Sequence, residues 1–124
     1  MEIMLSIICT ESGFRSYAKA STSSASGYCQ IIKSTAKWIY EDKLQYGTYD
    51  ADNHVSIMTS NWKLNIEISC RLMYSLYYNN GKTWENAVKR YYGSTSASEN
   101  EKYLNKVNSN MNDLFNMEIS ELNK

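Results

Sequence analysis

The stretch NWKLNIEISCRLMYSLYY (residues 61–78) decides how the chain is read. Trp62, Ile66, Ser69, Cys70, Met73 and Tyr77 recur at spacings of three and four, so they share one face of a helix. Asn79-Asn80-Gly81 follows and stops it, because Gly and Asn tolerate the left-handed backbone that ends a helix. The spacing predicts a helix over 61–78, with an apolar face that other elements must cover.

The same period recurs on both sides. Downstream, Thr83 is placed to cap a helix with Glu85 in its first turn; Trp84, Ala87, Val88 and Tyr91 form its stripe, and Gly93 ends it. A last amphipathic helix runs from about Ser98 to Phe115 through Leu104, Val107, Met111 and Leu114, and 116–124 either continues it or frays. Upstream, Met4, Ile7 and Ile8 make 1–10 helical, Glu11 lies on the same stripe, and Gly13 is the stop. Between them come a Ser- and Ala-rich polar loop (15–26), a short apolar run (27–32) interrupted by Gln30, a helix from an Ser34 cap to about Leu44, and an irregular loop (45–53). The expected fold is all-α, one domain over 1–124 built from five or six short helices, with at most a short hairpin near Gly27.

Composition narrows the function. A chain of 124 residues fits one domain, and a hydrophobic fraction of 43% supports a core. Thirteen basic and thirteen acidic residues cancel, which argues against nucleic acid, whose binding needs a basic face to displace counterions. Eleven Tyr and three Trp suit flat amphipathic ligands such as sugars, although half-buried packing also uses Tyr. Cys9, Cys29 and Cys70 form no C-x-x-C pattern, so no metal site is expected, and each lies in an apolar run as a buried thiol would. The one histidine, His54, falls in a polar loop without a nucleophile motif, which speaks against Ser-His-Asp or Cys-His catalysis. The apolar run from Ile3 to Cys9 is too short to cross a membrane and has no basic leader before it. The expectation is a protein delivered to its place of action by another part of a larger protein or particle, such as other virion or secretion-apparatus proteins, or by a holin-like or bacteriophage route.

Three residues are out of place. Glu11 is a carboxyl at the end of an apolar helix. It either points to water or, if buried, has a raised pKa and works as a general acid near neutral pH. Gln30 interrupts an apolar run, so its amide either holds a backbone turn or meets a ligand. Tyr91 ends a buried stripe and either packs in the core or reaches Glu11 to orient it.

These residues carry a family resemblance. Glu11-Ser12-Gly13-Phe14 with Tyr17-Ala18, then Ser21, Ala25, Gly27, Gln30-Ile31 and Ser34-Thr35-Ala36, resembles the first motif block of the soluble lytic transglycosylase (SLT-type) family of the lysozyme-like superfamily. Asn65-Ile66-Glu67 through Arg71-Leu72 is similar to its Asn-Ile helix, and 87–93 (AVKRYYG) to its Ala-Tyr-Asn-Ala-Gly helix end; Tyr103 and Val107 fit the helix that follows. The chain departs from the pattern at Tyr28-Cys29, where Leu-Met is usual, at Lys33 for Pro, and at Tyr92 for Asn.

The resemblance implies cleavage of the β-1,4 bond between N-acetylmuramic acid and N-acetylglucosamine at the bacterial cell wall, in the periplasm or outside the cell, leaving a 1,6-anhydro end. Glu11 would be the single acid/base, with Ser12 next to it among the supporting, substrate-binding residues; Ser21 or Thr22 and Tyr91 would support it by hydrogen bonds. Gln30 would face the sugar, and Tyr28 and Tyr92 would line the cleft. No cofactor, metal or nucleic acid is implied. The alternatives are a lysozyme-type hydrolase of the same bond, with Asp50 or Asp52 positioning water, and a non-catalytic wall-binding or virion structural relative.

Overall fold

The computed structural model describes residues 2–123. The first residue of the expected helix at 1–10 and the last of the 116–124 tail lie outside the described residues. Six α-helices follow in order: α1 (Glu2–Ser12), α2 (Lys33–Trp38), α3 (His54–Ser60), α4 (Trp62–Asn79), α5 (Trp84–Tyr92) and α6 (Ala97–Leu122). A π-helical turn (Ile39–Lys43) extends α2, and a 3₁₀ turn (Ala51–Asn53) leads into α3. No strand forms among the described residues. The hairpin expected near Gly27 is reduced to two isolated antiparallel bridges, Lys19 with Ser26 and Ser26 with Ile31. The architecture is all-α, as the sequence predicts.

Local chemistry sets most helix ends. Thr83 and Ser96 accept hydrogen bonds from the backbone N–H of Asn86 and Glu99 and so cap α5 and α6. Gly93 closes α5 in the left-handed conformation (φ +72°), donating its N–H to Lys89. Beyond Phe115, α6 continues to Leu122, so the tail through Leu122 is helix.

The helix expected from Ser34 to Leu44 is different in kind. It begins one residue earlier, with Ile32 at its cap position and no side-chain cap. The first free N–H, on Lys33, is taken instead by the Ser24 hydroxyl from the preceding loop, 2.9 Å away. Residues 54–60, for which the spacing predicts no element, form α3, whose His54 and Met58 are buried. Its start has no capping side chain, and tertiary burial holds it rather than any local signal. The expected face of α4 holds in part, with Ser69 and Met73 buried and Ile66 and Tyr77 packed against the core, but it is turned. Asn65, Ile68, Ser69, Met73 and Ser75 are inside, whereas Trp62 and Cys70 are exposed. Trp84 of α5 is 46% exposed and stacks on Tyr77, ring centroids 4.4 Å apart. Of the three cysteines, all free, only Cys29 is fully buried.

α1 divides the core. Ile8 joins a cluster with Cys29, Ile31, Ala36, Ile39, Tyr49, Met58 and Ile68, and Ile7 joins another with Met73, Ala87, Val88, Tyr103, Leu104 and Val107. α6 runs alongside α1 in the same direction: the Ser6 hydroxyl donates to the Val107 carbonyl, and the Asn110 amide to the Thr10 hydroxyl. Consecutive residues of α1 thus face opposite lobes. Glu11, three and four residues on, lies at the seam between them.

Candidate active site

Glu11 occupies the last turn of α1, which stops where Gly13 (φ +59°) donates its N–H to Cys9. Two depressions meet at this carboxyl. The larger, about 450 Å³, is lined by Glu11, Ser23, Ala25, Gln30, Ile31, Ile32, Thr35, Leu72, Tyr91 and Tyr92. The smaller, about 270 Å³, has Thr10, Glu11, Tyr92, Glu99, Lys102, Tyr103 and Lys106 around it. Glu11 and Tyr92 belong to both, so a chain-like ligand lying across them passes the carboxyl.

Burial pushes the Glu11 pKa up to about 7, against the opposing pull of the Lys106 ammonium and the Tyr103 hydroxyl. Tyr103 is itself buried, and its hydroxyl closes no hydrogen bond of ordinary geometry. Desolvation and the nearby Glu11 charge push its own pKa well up, so it stays a phenol and a donor. The Tyr92 ring stacks on Tyr103 (centroids 4.8 Å apart, planes at 26°) and roofs this pair.

A polar scaffold fixes the far wall of the larger cleft. The Asn65 amide, fully buried on α4, donates to the carbonyls of Ser26 and Met58 and accepts the Cys29 N–H at 3.0 Å. Gly27 lets that amide approach: a Cβ there would lie 2.1 Å from Asn65 Nδ2 and 2.2 Å from the Met58 oxygen, and its φ is +80°. His54 pins the same loop. Its Nε2 meets the carbonyls of Ser24 and Ile31 at 3.0 and 2.9 Å, and its Nδ1 meets the Tyr49 hydroxyl at 2.7 Å. Carbonyls only accept, so the proton sits on Nε2 and Tyr49 donates to Nδ1.

The residues singled out in the sequence divide into two groups. Glu11, Gln30, Tyr91 and Tyr92 come together at the larger cleft. Gln30 has a left-handed backbone (φ +52°), and its amide N–H groups donate to the Ala18 and Gly27 carbonyls, which leaves the amide oxygen for a ligand. Tyr91 does not reach Glu11 to orient it: its hydroxyl donates to the Cys29 carbonyl at 2.8 Å and lies 2.9 Å from the Ser69 hydroxyl. Ser12, Ser21, Thr22 and Tyr28 stand apart from both clefts. The buried Ser12 hydroxyl bonds back to the Ile8 carbonyl, Ser21 and Thr22 are exposed, and Tyr28 packs against the Ile8 cluster. Asp50 accepts from Asn53, and Asp52 lines a different depression beside His54. His54 is buried rather than in a polar loop. The position beside Glu11 expected of Tyr91 is held by Tyr103, which the sequence offered only as part of a helix.

An all-helical lysozyme-like fold with a protonatable carboxyl at a two-lobed cleft defines the class. The chain belongs to the transglycosylase SLT domain family, whose model matches residues 1–115. Membership carries a lytic-transglycosylase-type, peptidoglycan-directed function at the level of the family. No curated protein and no solved structure matches the chain. No described helix is long and apolar enough to cross a membrane.

Proposed function

We propose that this chain is a lytic transglycosylase that cuts the β-1,4 bond between N-acetylmuramic acid and N-acetylglucosamine, with Glu11 as the only acid/base. The observation that carries the reading is the placement of the Glu11 carboxyl where two clefts meet, with burial raising its pKa to about 7. Protonated Glu11 donates to the glycosidic oxygen as the bond to C1 breaks, and the sugar's 2-acetamido group stabilises the developing charge. The Tyr103 hydroxyl and the Lys106 ammonium favour the ionised carboxylate that results. That carboxylate takes the proton of the C6 hydroxyl, O6 closes on C1, and a 1,6-anhydro end is left with Glu11 protonated again.

A hydrolase reading calls for a second group to direct water, as in paired-carboxylate glycosidases. Among the described residues Glu11 is the sole carboxylate on the larger cleft, and Asp50 and Asp52 lie elsewhere. Glu99, on the smaller cleft, lies in the first turn of α6, where its backbone N–H donates to the capping Ser96, and its carboxylate faces Lys102 at 3.6 Å. This arrangement supports the one-carboxylate route. The test is release of dye from labelled peptidoglycan. Glu11→Gln is expected to lose on the order of 100-fold or more in rate while still sedimenting with the wall. Undiminished release by the variant, or binding without cleavage by the unaltered chain, would contradict the reading.

A further inference from the structure

The smaller cleft is chemically unlike the larger one. Lys102 and Lys106 stand one helical turn apart on α6 at its rim, with the stacked Tyr92 and Tyr103 rings beside them. Among the described residues no carboxylate closes a salt bridge to Lys106; Lys102 meets Glu99 at 3.6 Å, with both side chains largely in solvent. The other acid on this cleft, Glu11, is neutral in the state that begins the reaction. Nearby, Lys89 and Glu101 pair with each other at 2.9 Å and add no net charge. Two ammonium groups thus face the cleft against one loosely held carboxylate. An unsubstituted N-acetylglucosamine chain offers them only neutral oxygens and no charge to pair with. A sugar bearing a carboxylate does.

We infer that the Lys102–Lys106 side of the cleft is a subsite for a carboxylate carried on the lactyl arm of the glycan strand, and that it sets which sugar is seated beside Glu11. The inference rests on the reaction proposed above. The carboxylate is the lactyl group's own in a strand without peptides, or belongs to the stem peptide where one is attached. Exposed ammonium–carboxylate contacts are individually modest, so the pair discriminates by a small factor and does so most at low salt.

The test measures binding to the Glu11→Gln chain, which keeps ligands intact. The probes are a peptide-free muramyl tetrasaccharide, its methyl ester, and the tetrasaccharide carrying stem peptides. The free acid is expected to bind about three- to tenfold more tightly than the ester. In Lys102→Gln/Lys106→Gln that preference should disappear through loss of acid binding, with the ester unaffected, and Lys102→Arg/Lys106→Arg should restore it. A lysine-dependent gain for the peptide-bearing strand over the ester would identify the peptide carboxylates as the group read; a preference confined to the free acid would identify the lactyl carboxylate. Equal, lysine-independent binding of acid and ester would overturn the subsite and leave the proposed reaction standing. No binding of any probe would overturn both.

Discussion

Glu11 and Tyr103 lie together at the seam between the two core clusters, one ending α1 and the other buried on α6, and each shifts the other's ionisation. The phenol is a buried polar group without a hydrogen bond of ordinary geometry, a costly arrangement unless something else uses it. The ionised form of Glu11 provides that use. As the carboxyl gives up its proton, the Tyr103 hydroxyl becomes a donor to the carboxylate.

Tyr103→Phe therefore separates stability from chemistry. Thermal unfolding at about pH 5, where Glu11 keeps its proton, is expected to stay close to that of the unaltered chain, because the lost hydroxyl then leaves no carboxylate unsatisfied. The cleavage rate should fall about tenfold, and the basic limb of its pH profile should move up, since Tyr103 lowers the Glu11 pKa. Unchanged rate and profile would remove Tyr103 from the mechanism.

The Glu11 pKa also predicts how stability depends on pH. Raised from 4.5 to about 7, the folded carboxyl holds its proton in a window where the unfolded one has lost it. Its contribution to stability is therefore fully present below about pH 4.5 and is lost as pH rises through about 7. Glu11→Gln, neutral throughout, should match the unaltered chain near pH 4 and be more stable at pH 8, by on the order of 3 kcal/mol. Denaturant unfolding at the two pH values checks this. A variant less stable at pH 8 would mean that the carboxylate is compensated in the fold.

Asn65 makes three buried hydrogen bonds, two joining α4 to the loop over the cleft and one joining it to Met58 of α3. Asn65→Ala should cost roughly 2–4 kcal/mol and lower the melting temperature by about 10 °C. Gly27→Ala should be at least as damaging, because the new Cβ collides with the same amide. Melting curves of both variants within a few degrees of the unaltered chain would show that the loop has another anchor.

His54 acts on the cleft at a distance. His54→Phe keeps an aromatic ring but takes the Nε2–H away from the Ser24 and Ile31 carbonyls, which keep only their bonds from Ser26, and leaves the Tyr49 hydroxyl without its acceptor. A loss of about 2 kcal/mol is expected, with a raised KM as the loop carrying Ser23, Ala25 and Gln30 loosens. A steady-state KM equal to that of the unaltered chain would confine His54 to folding.

What could be read from the sequence was encoded locally. The Glu11 position depends on apolar spacing and a Gly stop within a few residues of it, and the Thr83 and Gly93 limits of α5 depend on caps of the same kind. The first block and the helix containing Asn65 could be matched to the family for the same reason. The misread features depend on distant partners. α3 forms without a capping side chain because His54 and Met58 are buried by other elements. α4 turns its face because Asn65, polar by type, is drawn inward by loop carbonyls. The place beside Glu11 belongs to Tyr103 because the pairing of α1 with α6 brings it there, and nothing near Glu11 in sequence encodes that pairing.

The most direct test of the central claim is mass spectrometry of the muropeptides released from purified peptidoglycan, with Glu11→Gln run beside the unaltered chain. The account predicts products lighter by one water than reducing muropeptides, absent with the variant. Reducing products, or anhydro products that persist without the Glu11 carboxyl, would contradict it.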